Sequence, residues 1–298
     1  MGINEDYEMI EMIKASDPYA KPEDLEKLSN SKNPKVRELV ARNPNTPKKV
    51  LDEQSHDDDV YVREGVADNL STPVVETLER LSSDEDSGVR RRVARNPNTP
   101  KKVLDEQSRD DDVYVRMSVA DNLNTPVETL ERLIHDKDIR VRMHVVRNPN
   151  IPKKTLDEQS RDDDVYVRMS VADNPSTPVE TLERLSHDED IRVRMHVARN
   201  PNTPKKVLDE QSRDDDVYVR RGVADNLNTP VEILERLSFD EDSGVRMHVA
   251  SNPNTPEEAR DRAIISINRE KELWAMKRDL SAGATGKEEV KVKRKICF

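Results

Sequence analysis

The chain has 298 residues, of which 33 % are hydrophobic and 37 % charged, too little apolar material to enclose one thick core, and no apolar run suits a signal peptide or membrane span. A net charge of −11 and 3 % aromatic residues work against nucleic-acid binding, because phosphates require excess Lys and Arg and bases require rings to stack on. The single cysteine, Cys297, excludes an intramolecular disulfide and a cysteine-ligated cluster held by this chain alone, so the expectation is a soluble cytoplasmic monomer without cofactor or metal.

In chain order, residues 4–14 read as a capping helix. Ile3, Tyr7, Ile10 and Lys14 fall three or four apart, Glu5 and Asp6 sit in the first turn, and Asp17-Pro18 closes the segment, giving an N-terminal cap over 1–17. From 18 to 256 the sequence repeats. Val-Arg recurs from Val36-Arg37 to Val245-Arg246 at a spacing of 26, broken once where Val74-Val75 inserts a residue, and this marks nine half-units. Every second half-unit is nearly identical, so residues 89–140 return as 141–192 and 193–244. Each unit of such an array buries only a thin seam against its neighbours, which reconciles the composition with a folded chain.

Residues 124–148 illustrate one half-unit. Thr125 is a candidate N-cap, Pro126 fits the first helical position, and Glu128 completes a capping box. Leu130, Leu133 and Ile134 then share a face. Asp138 is a candidate cap for a shorter second helix through Val141 and Val145, and Asn148-Pro149 stops it, since Asn tolerates the left-handed conformation and the residue before Pro disfavours helix.

The run Val193-Arg194-Met195-His196-Val197-Ala198-Arg199-Asn200-Pro201-Asn202-Thr203-Pro204 resembles the leucine-rich repeat variant family, and the likeness extends from about Pro22 to Pro256. The resemblance implies an all-α solenoid, a right-handed superhelix of alternating α and 3₁₀ helices akin to HEAT arrays, with no general activity. Some members carry an iron–sulfur module ahead of the repeats. Residues 1–30 here contain no cysteine, so that cofactor is expected to be missing.

Charge doubles the repeat period. Three columns alternate in sign: Arg42, Asp68, Arg95, Asp121 onward; Lys49, Glu76, Lys102, Glu128 onward; and Glu53, Arg80, Glu106, Arg132 onward. If equivalent positions face one another, each column becomes a ladder of opposite charges that fixes register more than it stabilises. Two further columns keep one sign, with Arg63, Arg90 and Arg116 continuing to Arg246 and Asp57, Asp84 and Asp110 continuing to Asp240. Like charges stacked in this way would repel unless interleaved, which predicts an Asp–Arg lattice between units.

The acidic runs, such as Asp57-Asp58-Asp59, suggest a hard cation, but they lack the glycine turn of a calcium loop and their third Asp serves as a helix cap. His144, His196 and His248 recur too far apart to share an ion, and the expectation is a large residue packed against small counterparts, Ser118, Ser170 and Gly222. Tyr61, Tyr114, Tyr166 and Tyr218, interleaved with Gly88, Arg140, Arg192 and Gly244, form a candidate partner surface because Tyr and Arg dominate interface hot spots. Stacking of Arg on Tyr between units is the structural alternative. With no phosphate loop and no unique nucleophile, an enzyme is not expected.

A C-terminal capping helix is predicted over 257–280, with Ala263, Ile267 and Trp274 on one face, followed by a flexible break at 281–286 and a basic tail, so that 281–298 is read as mobile. The leading expectation is a non-enzymatic scaffold that binds a protein partner. The alternatives are a nucleic-acid-binding solenoid using the Arg columns and tail, and an array with no partner.

Overall fold

A computed structural model describes residues 3–73 and 76–295, with side chains from Tyr7 to Arg278. Twenty α-helices and no strand are present among the described residues, as an α-solenoid of tandem repeats requires. The chain divides into two units, Met1–Val171 and Ala172–Phe298. In the first, the first helices of the half-units are Pro22–Leu28, Lys48–Gln54, Thr77–Leu81, Lys101–Gln107, Val127–Leu133 and Lys153–Gln159. The second helices are Pro34–Arg42, Val60–Asp68, Ser87–Arg95, Val113–Asp121 and Ile139–Arg147. In the second unit the corresponding sets are Val179–Leu185, Lys205–Gln211 and Val231–Leu237, and Ile191–Arg199, Val217–Asp225 and Ser243–Ser251. Within each unit successive second helices pack directly on one another.

Local chemistry departs from the sequence reading in four ways. The second helix is the longer one, nine residues against seven in Ile139–Arg147 and Val127–Leu133. Both kinds are α-helical, so the expected α/3₁₀ alternation is reduced to tight bonds after each first helix, such as Asp136 N to Leu133 O at 3.0 Å. Thr125 does not cap. Its buried hydroxyl donates to Val119 O at 2.5 Å, satisfying a carbonyl at the end of the preceding helix, and Pro126 takes the N-cap position. Finally, Asn148 is extended, with φ −67° and ψ 128°, and no described residue has positive φ. Asp138 does cap its helix, accepting from Arg140 N at 2.9 Å.

The reason for the asparagine lies across the seam. Asn122 Nδ2 donates to Ala94 O at 2.8 Å and Asn96 O at 3.0 Å in the preceding half-unit, while its Oδ1 accepts from Asn124 N at 2.9 Å. Asn69 and Asn148 in the first unit, and Asn200, Asn226 and Asn252 in the second, repeat the two donations. The result is a buried ladder in which one amide satisfies three backbone groups, and only a planar side chain with two donors and an acceptor can do this.

Apolar burial completes the seam. Val62, Val66 and Ala67 of one second helix join Leu51, Leu78, Leu81 and the Val89/Val93 pair in one continuous cluster, and Val219, Val223, Ala224, Leu208 and Leu237 form its equivalent in the second unit. Truncating one of these leucines to Ala removes about 2–5 kcal/mol. At Gly222 an added Cβ would lie 3.0 Å from Ala198 Cβ, and the same position is a buried Ser in Val113–Asp121, so small residues set the closest approach of second helices.

At the ends, the N-terminal helix Ile3–Ser16 packs through Met12 and Ala15, and not through the predicted Tyr7, Ile10 and Lys14, which are exposed. The C-terminal helix runs from Glu257 to Lys295, through the break predicted at 281–286. Two glycines there cost roughly 1 kcal/mol each, which an otherwise helix-forming run tolerates. Ala259 and Ala263 are buried on this helix, whereas Trp274, expected on the covered face with Ala263, is 65 % exposed. The Val74-Val75 insertion and Cys297 lie outside the described residues.

Candidate functional site

Two polar systems recur from repeat to repeat, and separating them isolates what is left for a partner. The first is the Asp–Arg lattice. Arg116 Nε and Nη2 donate to the two Asp136 carboxylate oxygens at 2.7 and 3.1 Å, and its Nη1 donates to Asp110 O at 2.8 Å and Asp111 O at 3.1 Å in its own loop. One guanidinium thus ties its own loop to the next one. Arg37–Asp57, Arg63–Asp84, Arg90–Asp110 and Arg142–Asp162 repeat the bidentate pair, as do Arg194–Asp214 and Arg220–Asp240 in the second unit. Burial pushes the Asp110 carboxyl up, but hydrogen bonds from Arg90 and the Asp112 amide outweigh it and hold the group below the usual range.

In the acidic runs the first Asp belongs to this lattice and the third caps a helix, as Asp112 does by accepting from Tyr114 N at 2.7 Å. Asp58 and Asp111 remain exposed between them.

The alternating columns form the second system, with partners other than those predicted. Contacts of the expected ladder kind are seen in the first column, with Arg42–Asp68 at 2.9 Å and Arg199–Asp225 at 3.7 Å. The lysines of the second column pair within their own helix, as Lys102–Glu106 does at 3.8 Å. In the third, Arg132 reaches Asp105 at 2.6 Å rather than Glu106, and Arg80 and Arg236 do the same with Asp52 and Asp209. One residue along a helix is a turn of about 100°, enough to point Asp105 at the next unit and Glu106 at solvent. Hydrogen bonds from Arg132 and Thr129 hold Asp105 down at about 2.

Each histidine of the column reaches a carboxylate of the preceding half-unit. His144 Nδ1 lies 2.6 Å from Asp121 Oδ1, His196 3.1 Å from Asp173 and His248 2.5 Å from Asp225. In the earlier repeat Arg92 holds the same place and pairs with Asp68 and Glu64. The column is one of contacts to Asp carboxylates, with imidazole at the place that guanidinium holds in the earlier repeat.

The tyrosines stand apart from both systems. Each sits two residues beyond its capping Asp, with its amide fixed by that carboxylate: Tyr61 to Asp59 at 2.9 Å, Tyr166 to Asp164 at 2.8 Å and Tyr218 to Asp216 at 2.7 Å. All four rings are about half exposed, from 46 % at Tyr166 to 59 % at Tyr61. Arg140 lies over Tyr114, its Cζ 5.5 Å from the ring centroid, while hydrogen-bonding its own cap Asp138 and holding that carboxyl at about 2. Tyr218 is covered by Arg221 of its own helix at 5.2 Å. Arg192 is half-buried and bound to Asp190 at 2.8 Å. The expected stacking of Arg on Tyr between half-units is formed at Arg140 and Tyr114.

The family described as leucine rich repeat variant matches residues 167–190. Among solved structures, one described as a leucine-rich repeat variant with a novel repetitive protein structural motif is similar over 75 % of this chain and 88 % of its own, at 29 % identity and a TM-score of 0.56. A crystal structure of an engineered protein is similar over 87 % of this chain and 94 % of its own, at 16 % identity and a TM-score of 0.37. No curated protein matches the chain. No helix among the described residues is long and apolar enough to cross a membrane.

Proposed function

We propose, for a chain that resembles the leucine-rich repeat variant family, that it is a non-enzymatic scaffold whose exposed tyrosines, Tyr61, Tyr114 and Tyr166 in the first unit and Tyr218 in the second, dock a polypeptide partner. The observation that carries this reading is the contrast between arginines held within the stack and tyrosines about half exposed at its surface. The recurring Arg column is committed to carboxylates of neighbouring repeats, whereas Tyr61, Tyr114, Tyr166 and Tyr218 are about half exposed at helix starts already fixed by Asp caps. Side chains mounted on fixed backbone lose little freedom on binding, which favours them as anchors. Arg140 over Tyr114 in the first unit, and Arg192 in the second, add hydrogen-bond donors for backbone carbonyls or carboxylates of the partner.

The commitment of the recurring Arg column to bidentate Asp contacts weighs against the nucleic-acid reading, since those guanidinium groups have no fork left for phosphate. The test is capture from native extract with the full chain, followed by affinity measurement for the captured protein with wild type and with the quadruple Tyr→Ala variant. Loss of about tenfold or more in affinity, with the fold intact by circular dichroism, is the expected result. Unchanged affinity, or a bound species that is nucleic acid with a steep salt dependence, overturns the proposal.

A further inference from the structure

At one place in each unit a guanidinium group lies between the tyrosine of one half-unit and the cap aspartate of the next, and the two units supply it differently. In the first, Arg140 stands two residues beyond its own cap. Its Nε and Nη2 donate to the Asp138 carboxylate at 3.0 and 2.7 Å, and its Cζ lies 5.5 Å from the Tyr114 centroid. In the second unit the matching position is Gly244, and Arg221 of the preceding second helix supplies the group. Its Nε and Nη2 donate to Asp242 Oδ1 at 3.2 and 2.8 Å, with Cζ 5.2 Å from the Tyr218 centroid. A Cβ added at Gly244 would fall on the Arg221 guanidinium, so the glycine makes room for it.

Tyr61 and Asp86 in the first unit stand in the same register. Ser87–Arg95 packs on Val60–Asp68, and Arg63 reaches Asp84 with the bidentate contact that Arg116 makes to Asp136. Here the position of Arg140 is Gly88, and that of Arg221 is Glu64. Two carboxylates therefore converge where the other cases hold a guanidinium: a Cβ added at Gly88 would be 2.7 Å from both Asp86 Oδ1 and Glu64 Oε1. Arg92 and Arg42 approach Glu64 through its other oxygen, at 3.0 and 3.8 Å. Asp86 Oδ1 accepts from the Gly88 and Val89 amides at 2.7 and 3.2 Å, and the carboxylate enters no ion pair among the described residues. Nor does a described cation lie over Tyr61, whose 59 % exposure is the largest of the four tyrosines.

We infer that Tyr61, Glu64 and Asp86 form a site around Gly88 for an arginine side chain of another polypeptide. The inference rests on the scaffold reading for that polypeptide, and adds which of its groups is held. A guanidinium is planar, to stack on the ring, and forked, to donate to a carboxylate. A lysine ammonium brings a point charge without the fork, and a neutral or acidic side chain would meet two carboxylates with no counter-charge.

The test titrates Nα-acetyl-arginine amide into the full chain carrying isotope-labelled tyrosine rings, followed by NMR with the Tyr61 signals assigned through Tyr61→Phe. Those signals are expected to shift, with Kd on the order of millimolar for so small a ligand, whereas the uncharged, isosteric citrulline amide leaves them in place. Gly88→Arg reproduces the Arg140 arrangement and is expected to abolish the response. Glu64→Arg reproduces that of Arg221 and carries the same expectation should Gly88→Arg fail to fold. For the captured partner, either variant is expected to lower affinity by about tenfold. No shift at Tyr61, an equal shift with citrulline, or a response that survives either folded variant overturns the proposal. So does a partner whose affinity falls on the quadruple Tyr→Ala change but not on Gly88→Arg or Glu64→Arg. The titration uses no partner, so its failure is read apart from that of the scaffold reading, which the quadruple variant tests.

Discussion

The buried and exposed polar systems of the repeat use the same residue types to opposite effect. Asn122 and Arg116 lie at the seam, 6 % exposed each, and satisfy backbone and carboxylate groups that water cannot reach. Arg132 and Lys102 lie on the outside, their side chains 38 and 76 % exposed, and their pairs compete with water. A contact's value therefore depends less on its geometry than on what replaces it when it is broken. At the seam the replacement is an orphaned buried group, whereas outside it is hydration.

Acid is expected to break both systems together and so has the largest effect. Asp57, Asp105, Asp110 and Asp138 are all held below the ordinary carboxylate range when folded. Groups with depressed values stabilise fully above the unfolded value, near about 4, and lose that contribution as pH falls through the folded one. With Asp105 and Asp138 at about 2, melting temperature is expected to hold down to about pH 4 and fall steeply between about 4 and 2 in scanning calorimetry. A flat profile across that window would show that the lattice does not stabilise the fold.

Among substitutions, Arg116→Ala strands Asp136 and two loop carbonyls and is expected to cost about 3–5 kcal/mol in urea denaturation. Asn122→Ala leaves two buried carbonyls without donors and is expected to cost about 2–4 kcal/mol. Arg132→Ala, with an equally short ionic contact, is expected to cost less than about 1 kcal/mol. Lys102→Ala is expected to be within about 0.5 kcal/mol of wild type, and a loss as large as that of Asn122→Ala would remove the distinction drawn between seam and surface.

The seam also divides what was legible in the sequence from what was not. The Asp–Arg lattice could be read, because two columns of unchanging sign can coexist only when interleaved. The Asp caps could be read from local chemistry alone. The asparagine ladder was missed, since Asn before Pro has a sufficient local explanation as a stop signal, and nothing in one half-unit reveals that its amide faces the carbonyls of another. Its clue was the presence of Asn at that place in every half-unit while its neighbours changed sign, from Asn43 to Asn252. The Thr hydroxyl was misassigned for the same reason, a plausible local role masking a contact six residues back.

Periodicity, capping chemistry and sign alternation are properties of a short stretch of chain, so the sequence by itself determined that this protein is a helical repeat array, where its half-units begin, and that its units are held in register by charge. Which carboxylate each arginine meets, which side of the N-terminal helix is covered, and that Tyr61, Tyr114, Tyr166 and Tyr218 remain half exposed were decided only by the tertiary structure. The physical reason is direction: a residue's neighbours across a seam depend on where its side chain points relative to the next repeat, and a turn of 100° per residue makes adjacent positions, identical in chemistry, face a partner or face water.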